Sequence, residues 1–266
     1  MSFINNANPG SQINLLCLIF RILFENPGKY GVEELKNYCA PESVFSSNDN
    51  KKRFSENFSF WMNGSIKMWG FNEKNFLTLQ VDDELVGSKP SDVAHHLRKA
   101  LMKVKFTDIL ATKDEYGASK AIRSFAYILT QDQFSLFKTA LNKSSLETSF
   151  AKNFSQYSLN NDEKSYFLEF CNFIGISEKV DGEEYVDPTR LIASFLGDLF
   201  KEKNVLEAVK FIQQLSSLVP IIDFGAHNAV VRGSISSSLT RPNELSINLS
   251  HALYRLNQRQ VIKFSR

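Results

Sequence analysis

The chain has little that would stitch it together or anchor it from outside its own packing. Its three cysteines, Cys17, Cys39 and Cys171, are odd in number and lie among apolar neighbours, which points to buried thiols rather than a disulfide framework. No apolar run approaches the ~18 residues of a membrane span. The longest, over 15–24, is interrupted by Arg21. The N-terminal flank has neither the basic segment nor the small-residue cleavage site of a signal peptide, so a cytoplasmic protein with no membrane contact is expected. The sequon Asn153-Phe154-Ser155 then carries no glycan. A strong charge of one sign is missing too: the net charge is +2, so any role on nucleic acid has to come from local patches.

The constellations of common enzymes are also missing. There is no glycine-rich phosphate loop followed by Lys-Ser/Thr, no paired CxxC and no HExxH. Asp223-Phe224-Gly225 spells a kinase signature, but its catalytic-loop and glycine-loop partners are absent, and it reads as a turn. Glu34-Leu35-Lys36 has a nuclease-like spacing, yet it falls on a predicted helix with no carboxylate strand before it. His95 and His96 point about 100° apart on a helix and cannot easily share one metal. Ser250-His251 has no third partner. A protein that is not an enzyme and has no cofactor or metal is expected.

What the chain has is core. Hydrophobic residues make up 43% and Phe is frequent at 23, enough for a well-packed globular protein. Periodicity predicts helices over 13–24, 32–39, 51–69 (with Gly64 a possible break), 93–106, 118–130, 133–141, 146–157, 162–173, 188–200, 206–218 and through 249–256. Strands are predicted over 76–81, at the Asp181-Gly182 hairpin, over 229–231 and over 261–264. Helices followed by a hairpin therefore recur, ending near 81, 187 and 266. The fold expected is mainly α, with tandem winged helix-turn-helix units, small β-hairpin wings, joined by helices. The domains are 1–85, an N-terminal winged helix; 86–187, a helical, second winged-helix-like unit; and 188–266, a helical segment with a C-terminal winged-helix-like unit. Asp82 to Asp92, acidic and then Gly-Ser-Lys-Pro-Ser, reads as an inter-domain linker.

Two stretches concentrate positive charge. Residues 227–266 carry Arg232, Arg241, Arg255, Arg259, Lys263 and Arg266 against Glu244, a balance of +5. Residues 89–113 carry Lys89, Arg98, Lys99, Lys103, Lys105 and Lys113 against Asp92 and Asp108, a balance of +4. On the C-terminal helix Leu249, Ala252, Leu253 and Leu256 form the core stripe, and Asn248, His251 and Arg255 lie opposite, followed by Arg259 and Lys263. That is the layout of a recognition helix and wing, Asn248 and Arg255 reading bases and Arg259 and Lys263 meeting phosphates. Lys51, Lys52, Arg53, Asn57 and Lys67 would supply the same charge in the first unit. A solvated amphipathic helix closing an all-helical domain is the bland alternative.

The order of short motifs resembles one family. These are ASKAIRSFAYILTQDQ over 118–133, the stretch 173–191 with Gly175 and Val186-Asp187-Pro188-Thr189, LSSLVPIIDFG over 215–225, and 249–264. It resembles DpdG, an accessory protein of the bacterial clusters that install and police 7-deazapurine bases in DNA. The resemblance implies a non-catalytic component of a DNA modification, restriction and phage-defence system, beside helicase-like and nuclease-like proteins of the same operon. It carries no functional residues over, because the shared motifs are turns and cores. Two functions follow as expectations: a non-catalytic duplex-DNA-binding accessory protein, or a scaffold whose winged helices bind partner subunits through faces such as Phe58, Phe60 and Trp61.

Overall fold

The computed structural model describes residues 12–39, 48–64, 66–81, 87–104, 118–130, 161–234 and 244–265. Among them helices dominate, and the strands form two small antiparallel hairpins. The chain divides into two compact units, residues 1–104 with 111–119, and residues 105–110 with 120–266. Among the described residues no helix is long and apolar enough to cross a membrane.

The first unit opens with α1 (Ile13–Glu25), whose Ile13, Leu16, Phe20 and Leu23 recur at helical spacing and are buried. Asn26 ends it, its backbone and side-chain nitrogens both donating to the Ile22 carbonyl. Gly28 turns the chain at φ +66°, where a side chain would be strained. The next residues lie along a strand: Gly28 N donates to Leu77 O at 3.2 Å and Leu77 N to Tyr30 O at 2.9 Å. Helix α2 (Val32–Cys39) follows, Glu34 accepting from Gly31 N at its first turn. Helix α3 (Asn48–Asn63) buries Phe54, Phe58 and Trp61 and ends at Gly64, the possible break, short of the expected end at 69. Trp69, expected on that helix, instead opens strand β1 (Trp69–Phe71), paired with β2 (Leu77–Leu79). The Asn72–Asn75 turn forms as expected, the Asn72 Oδ1 accepting from Lys74 N and Phe76 N while Asn75 takes φ +62°. Helix α4 (Pro90–Met102) starts on Pro90, with Asp92 accepting from Lys89 N, and belongs to this unit.

The second unit holds α5 (Ser119–Thr130) and α6 (Asn161–Phe173), joined by Phe125 stacked on Phe167 and by a Lys120–Glu163 ion pair of 2.8 Å. Strands β3 (Ser177–Val180) and β4 (Glu183–Val186) form the hairpin its Asp181-Gly182 turn demands, both residues at positive φ. Asp187 caps the next turn, accepting from Thr189 N at 2.9 Å. The helix expected over 188–200 is two short ones, α7 (Thr189–Ala193) and α8 (Leu196–Leu199). Then come α9 (Ala208–Leu218), α10 (Ala226–Ser234) and α11 (Ile247–Gln258).

Two strand expectations are overturned. Residues 229–231 lie in α10, where His227, Asn228 and Val231 face inward. Asn228 fixes that helix start, its N and Nδ2 donating to the carbonyls of Pro220 and Ile221. Residues 261–264 form no strand: Val261 N and Ile262 N turn back to the Leu256 carbonyl, and Gln260 takes φ +57°. A β-like run needs a partner to pair with, and among the described residues this one has none. The third helix-to-hairpin unit thus lacks its hairpin among the described residues. The helices expected over 133–141 and 146–157 lie outside the described residues.

Candidate nucleic-acid interface

Helix α4 has a buried stripe of Val93, Ala94, Leu97 and Leu101, which leaves a second stripe at 96, 99, 100 and 103. Those positions are i, i+3, i+4 and i+7 and lie one above another. His96, Lys99, Ala100 and Lys103 accordingly form one wall of a cleft of about 490 Å³. The opposite wall is the open end of the hairpin, Ile66 to Met68 on one strand and Leu79 to Val81 on the other, held together by Gln80 N donating to Met68 O at 3.0 Å. His96 is buried and stacked on Phe20 of α1, ring centroids 5.6 Å apart, which fixes α4 against the unit's core.

The cleft is positive by composition. Lys67, Lys99 and Lys103 line it together with His96, and among the described residues none that lines it is acidic. A concave wall of protein focuses such charge on an entering anion. Lysine suits phosphate here, a compact cation on a long stem that needs no fixed fork geometry. Gln80 adds an amide able to donate and accept. Gly70 makes room for it: a Cβ there would sit 2.6 Å from the Gln80 Nε2.

The residues expected to contact DNA fare differently from one another. Lys67 is exposed and in the cleft. Lys52 is exposed on α3, 3.9 Å from Glu56, a pairing water largely screens. Lys51 and Arg53 belong to α3, and their side chains lie outside the described part. Asn57 is not on a groove-facing side: it is 0% exposed, because it sits three residues after Phe54 and one before Phe58, inside the core stripe. The faces of Phe58, Phe60 and Trp61 are core as well, not docking surface.

On α11 the expected reading face is turned inward. Asn248 is 1% exposed and its Nδ2 donates to the Leu129 carbonyl at 3.1 Å, a bond across 119 residues of sequence. Arg255 Nη1 donates to Glu178 Oε2 at 2.6 Å and also reaches the buried Asp187 carboxylate. His251 is half-buried between them in sequence. Arg259 and Lys263 are exposed beyond the helix end. Near the start of α11, Ser246 caps the helix by accepting from Leu249 N, and its own N–H donates to Asp223 Oδ2. Burial pushes the Asp223 carboxyl up, against the pull of its Ser246 hydrogen bonds and of Arg232. Asp223-Phe224-Gly225 is therefore a structural turn, Phe224 at φ +63° and Gly225 packed so closely that a Cβ would lie 2.3 Å from Pro220 O.

Sequence reasoning passed over Lys99, Lys103, His96 and Gln80. The signal for the first three was present, a +4 patch on a helix with cations and a histidine at three- and four-residue spacing. Gln80 left no sequence signal. Among the described residues no group of three or more His, Cys, Asp or Glu could hold a metal ion.

Fold and cleft together define a mainly helical protein with two small hairpins and a cation-lined cleft in its first unit. The model of the DpdG-like family matches residues 1–266, and the protein belongs to that family. The membership associates it with Dpd-type DNA modification systems. No curated protein and no solved structure matches the chain at a significant level.

Proposed function

We propose that the protein is a non-catalytic, duplex-DNA-binding accessory component of a Dpd-type modification and restriction system, and that its first unit is a winged-helix module. The observation that carries this reading is the convergence of Lys67, Lys99 and Lys103 on one cleft. The order α1, α2, α3, β1, β2, with residues 28–30 bonded along β2, supports the winged-helix class, since that fold likewise feeds three helices into a hairpin. In this reading α3 brings Lys51, Lys52 and Arg53 to the phosphates, and the cleft lysines hold the adjoining backbone. Arg259 and Lys263 are a further pair of phosphate contacts. Asn248 and Arg255 take no part.

The test is fluorescence anisotropy of a labelled duplex of about 30 base pairs, titrated between roughly 50 and 200 mM salt. Affinity that falls steeply with salt supports the reading, each phosphate contact contributing about 0.9 to the logarithmic slope. Absence of binding at the lowest salt overturns it.

A second reading, a protein adaptor, is favoured by a different observation. Tyr254, Val261 and Phe264 are 59%, 53% and 56% exposed on and just beyond the C-terminal helix. It expects co-purification with neighbouring gene products through contacts insensitive to salt, lost in Tyr254→Ala with Phe264→Ala.

A further inference from the structure

Three exposed apolar side chains of the second unit, Tyr254, Val261 and Phe264, fall together within 254–264. Arg259 and Lys263 stand exposed among them, and no acidic residue follows Glu244 in the sequence. The β3–β4 hairpin has the opposite character. Over 177–186 Glu178, Asp181, Glu183 and Glu184 outweigh Lys179, a balance of −3. At its tip Val180 is 47% exposed beside the exposed Asp181 and Glu183.

The two patches adjoin one ion pair, Arg255 to Glu178 at 2.6 Å. Arg259 lies about 6 Å further along the helix axis from Arg255. Asp181 lies about 10 Å further along the strand from Glu178. Yet among the described residues Arg259, Lys263, Asp181 and Glu183 make no ion pair within the chain. Opposite charges that adjoin on one surface without pairing there can pair between two copies. A two-fold axis between the patches sets each on its opposite, twice over, and closes the assembly at a dimer. The aromatic residues beside the cations are of the type enriched at such contacts.

We propose that the end of α11 and the tip of the β3–β4 hairpin form one self-complementary surface for a second copy of this chain. Arg259 and Lys263 of each copy meet Asp181 and Glu183 of the other, and Tyr254, Val261 and Phe264 pack against Val180. This goes beyond the DNA-binding reading, and it rests on the surface of the adaptor reading, to which it gives an occupant. The second copy takes two cations offered above as a further pair of phosphate contacts; the DNA reading is carried by the first unit and does not depend on them.

The experiment is sedimentation velocity of the full chain over a range of protein concentrations, at salt of about 50 and 200 mM. A reversible monomer–dimer equilibrium is expected, weaker at the higher salt because exposed charges are screened. Arg259→Glu with Lys263→Glu makes both patches acidic, and Asp181→Lys with Glu183→Lys makes both basic. Each variant alone is monomeric, and an equal mixture of the two dimerises, since every contact then joins opposite charges. Recovery in the mixture shows that both variants are folded. Phe264→Ala, an exposed position, lowers dimer affinity on the order of tenfold.

A chain that stays monomeric at the highest concentration it tolerates overturns the proposal, as does self-association unchanged in either charge variant. Growth past a dimer overturns the two-fold pairing. Association that appears only when a duplex is added means bridging by DNA, which overturns the second-copy assignment and leaves the DNA-binding reading standing. A dimer that binds no duplex does the reverse. Monomers that capture a different protein through Tyr254 and Phe264 return the surface to the adaptor reading and overturn the dimer.

Discussion

On α4, Lys99 and Lys103 line an open cleft beside Lys67, whereas on α11 Arg255 reaches the carboxylates of Glu178 and Asp187. As sequences the two helices look alike, each of 12 or 13 residues with an apolar stripe and cations on the other side. What separates them is the neighbour. The hairpin beside α4 presents Lys67 and Gln80 to it, and the hairpin of the second unit presents Glu178 to α11. A cation between carboxylates, as Arg255 is, holds the fold together. The balance of +5 over 227–266 therefore includes a cation, Arg255, that is spent on carboxylates of the same chain.

The comparison breaks most readily at Arg255. Arg255→Ala leaves Asp187, 5% exposed, without its cation, and should cost about 3 kcal/mol of unfolding free energy by urea titration. Duplex affinity of the folded fraction should not change; a drop with stability intact would return Arg255 to the interface. On the other side, Lys67→Ala, Lys99→Ala and Lys103→Ala combined should weaken duplex binding on the order of tenfold to a hundredfold. The salt slope should shrink by about 2 to 3, with little change in the melting midpoint. A triple variant that binds like the parent would erase the distinction drawn here.

Ser246→Ala sharpens the structural side. It removes the cap on Leu249 N and should lower stability by about 1 kcal/mol, with no effect on DNA binding. Asp223, which binds the Ser246 N–H, offers a pH test. Its carboxyl lies above the ordinary 3.8 because burial raises it, so the folded state binds a proton more readily than the unfolded one. Its contribution to stability is complete below the unfolded value and is lost as pH rises through the folded one. Urea midpoints of the parent should fall, relative to Asp223→Asn, as pH rises from 3.8 through that window; parallel curves would show that the carboxyl is not raised. The smallest effect concerns the thiols. Burial pushes Cys17 to about 11 and Cys39 to about 12, so both stay protonated near neutrality and should react with iodoacetamide far more slowly than a free thiol.

Much of the fold was legible from local pattern. The limits of α2 and the stop of α1 at Asn26 followed from periodicity and from turn residues, as did the Asn72–Asn75 and Asp181-Gly182 turns, whereas α3 ends at the possible break and not at 69. The misreadings share a cause. Residues 229–231 and 261–264 carry β-branched and apolar side chains, and a short apolar run does not say whether a strand lies beside it. Asn57 and Asn248 were polar residues on helices and so were assigned to the outside, yet Asn248 satisfies a carbonyl on another helix.

The site was legible only in part. Lys67 was chosen as groove-facing charge on a helix that in fact ends before it, and Lys99 and Lys103 were visible as charge, but nothing local to either stretch says that residues 67, 80, 99 and 103 share a cleft.

By itself the sequence determined that helices dominate, which two turns close hairpins, and which helix stripes are apolar, because each depends on residues within a few positions of one another. Tertiary structure alone decided which polar residues are buried, which cations are neutralised and where a cleft opens. Those outcomes depend on groups as far apart as Arg255 and Glu178 or Asn248 and Leu129, brought together only when the chain packs.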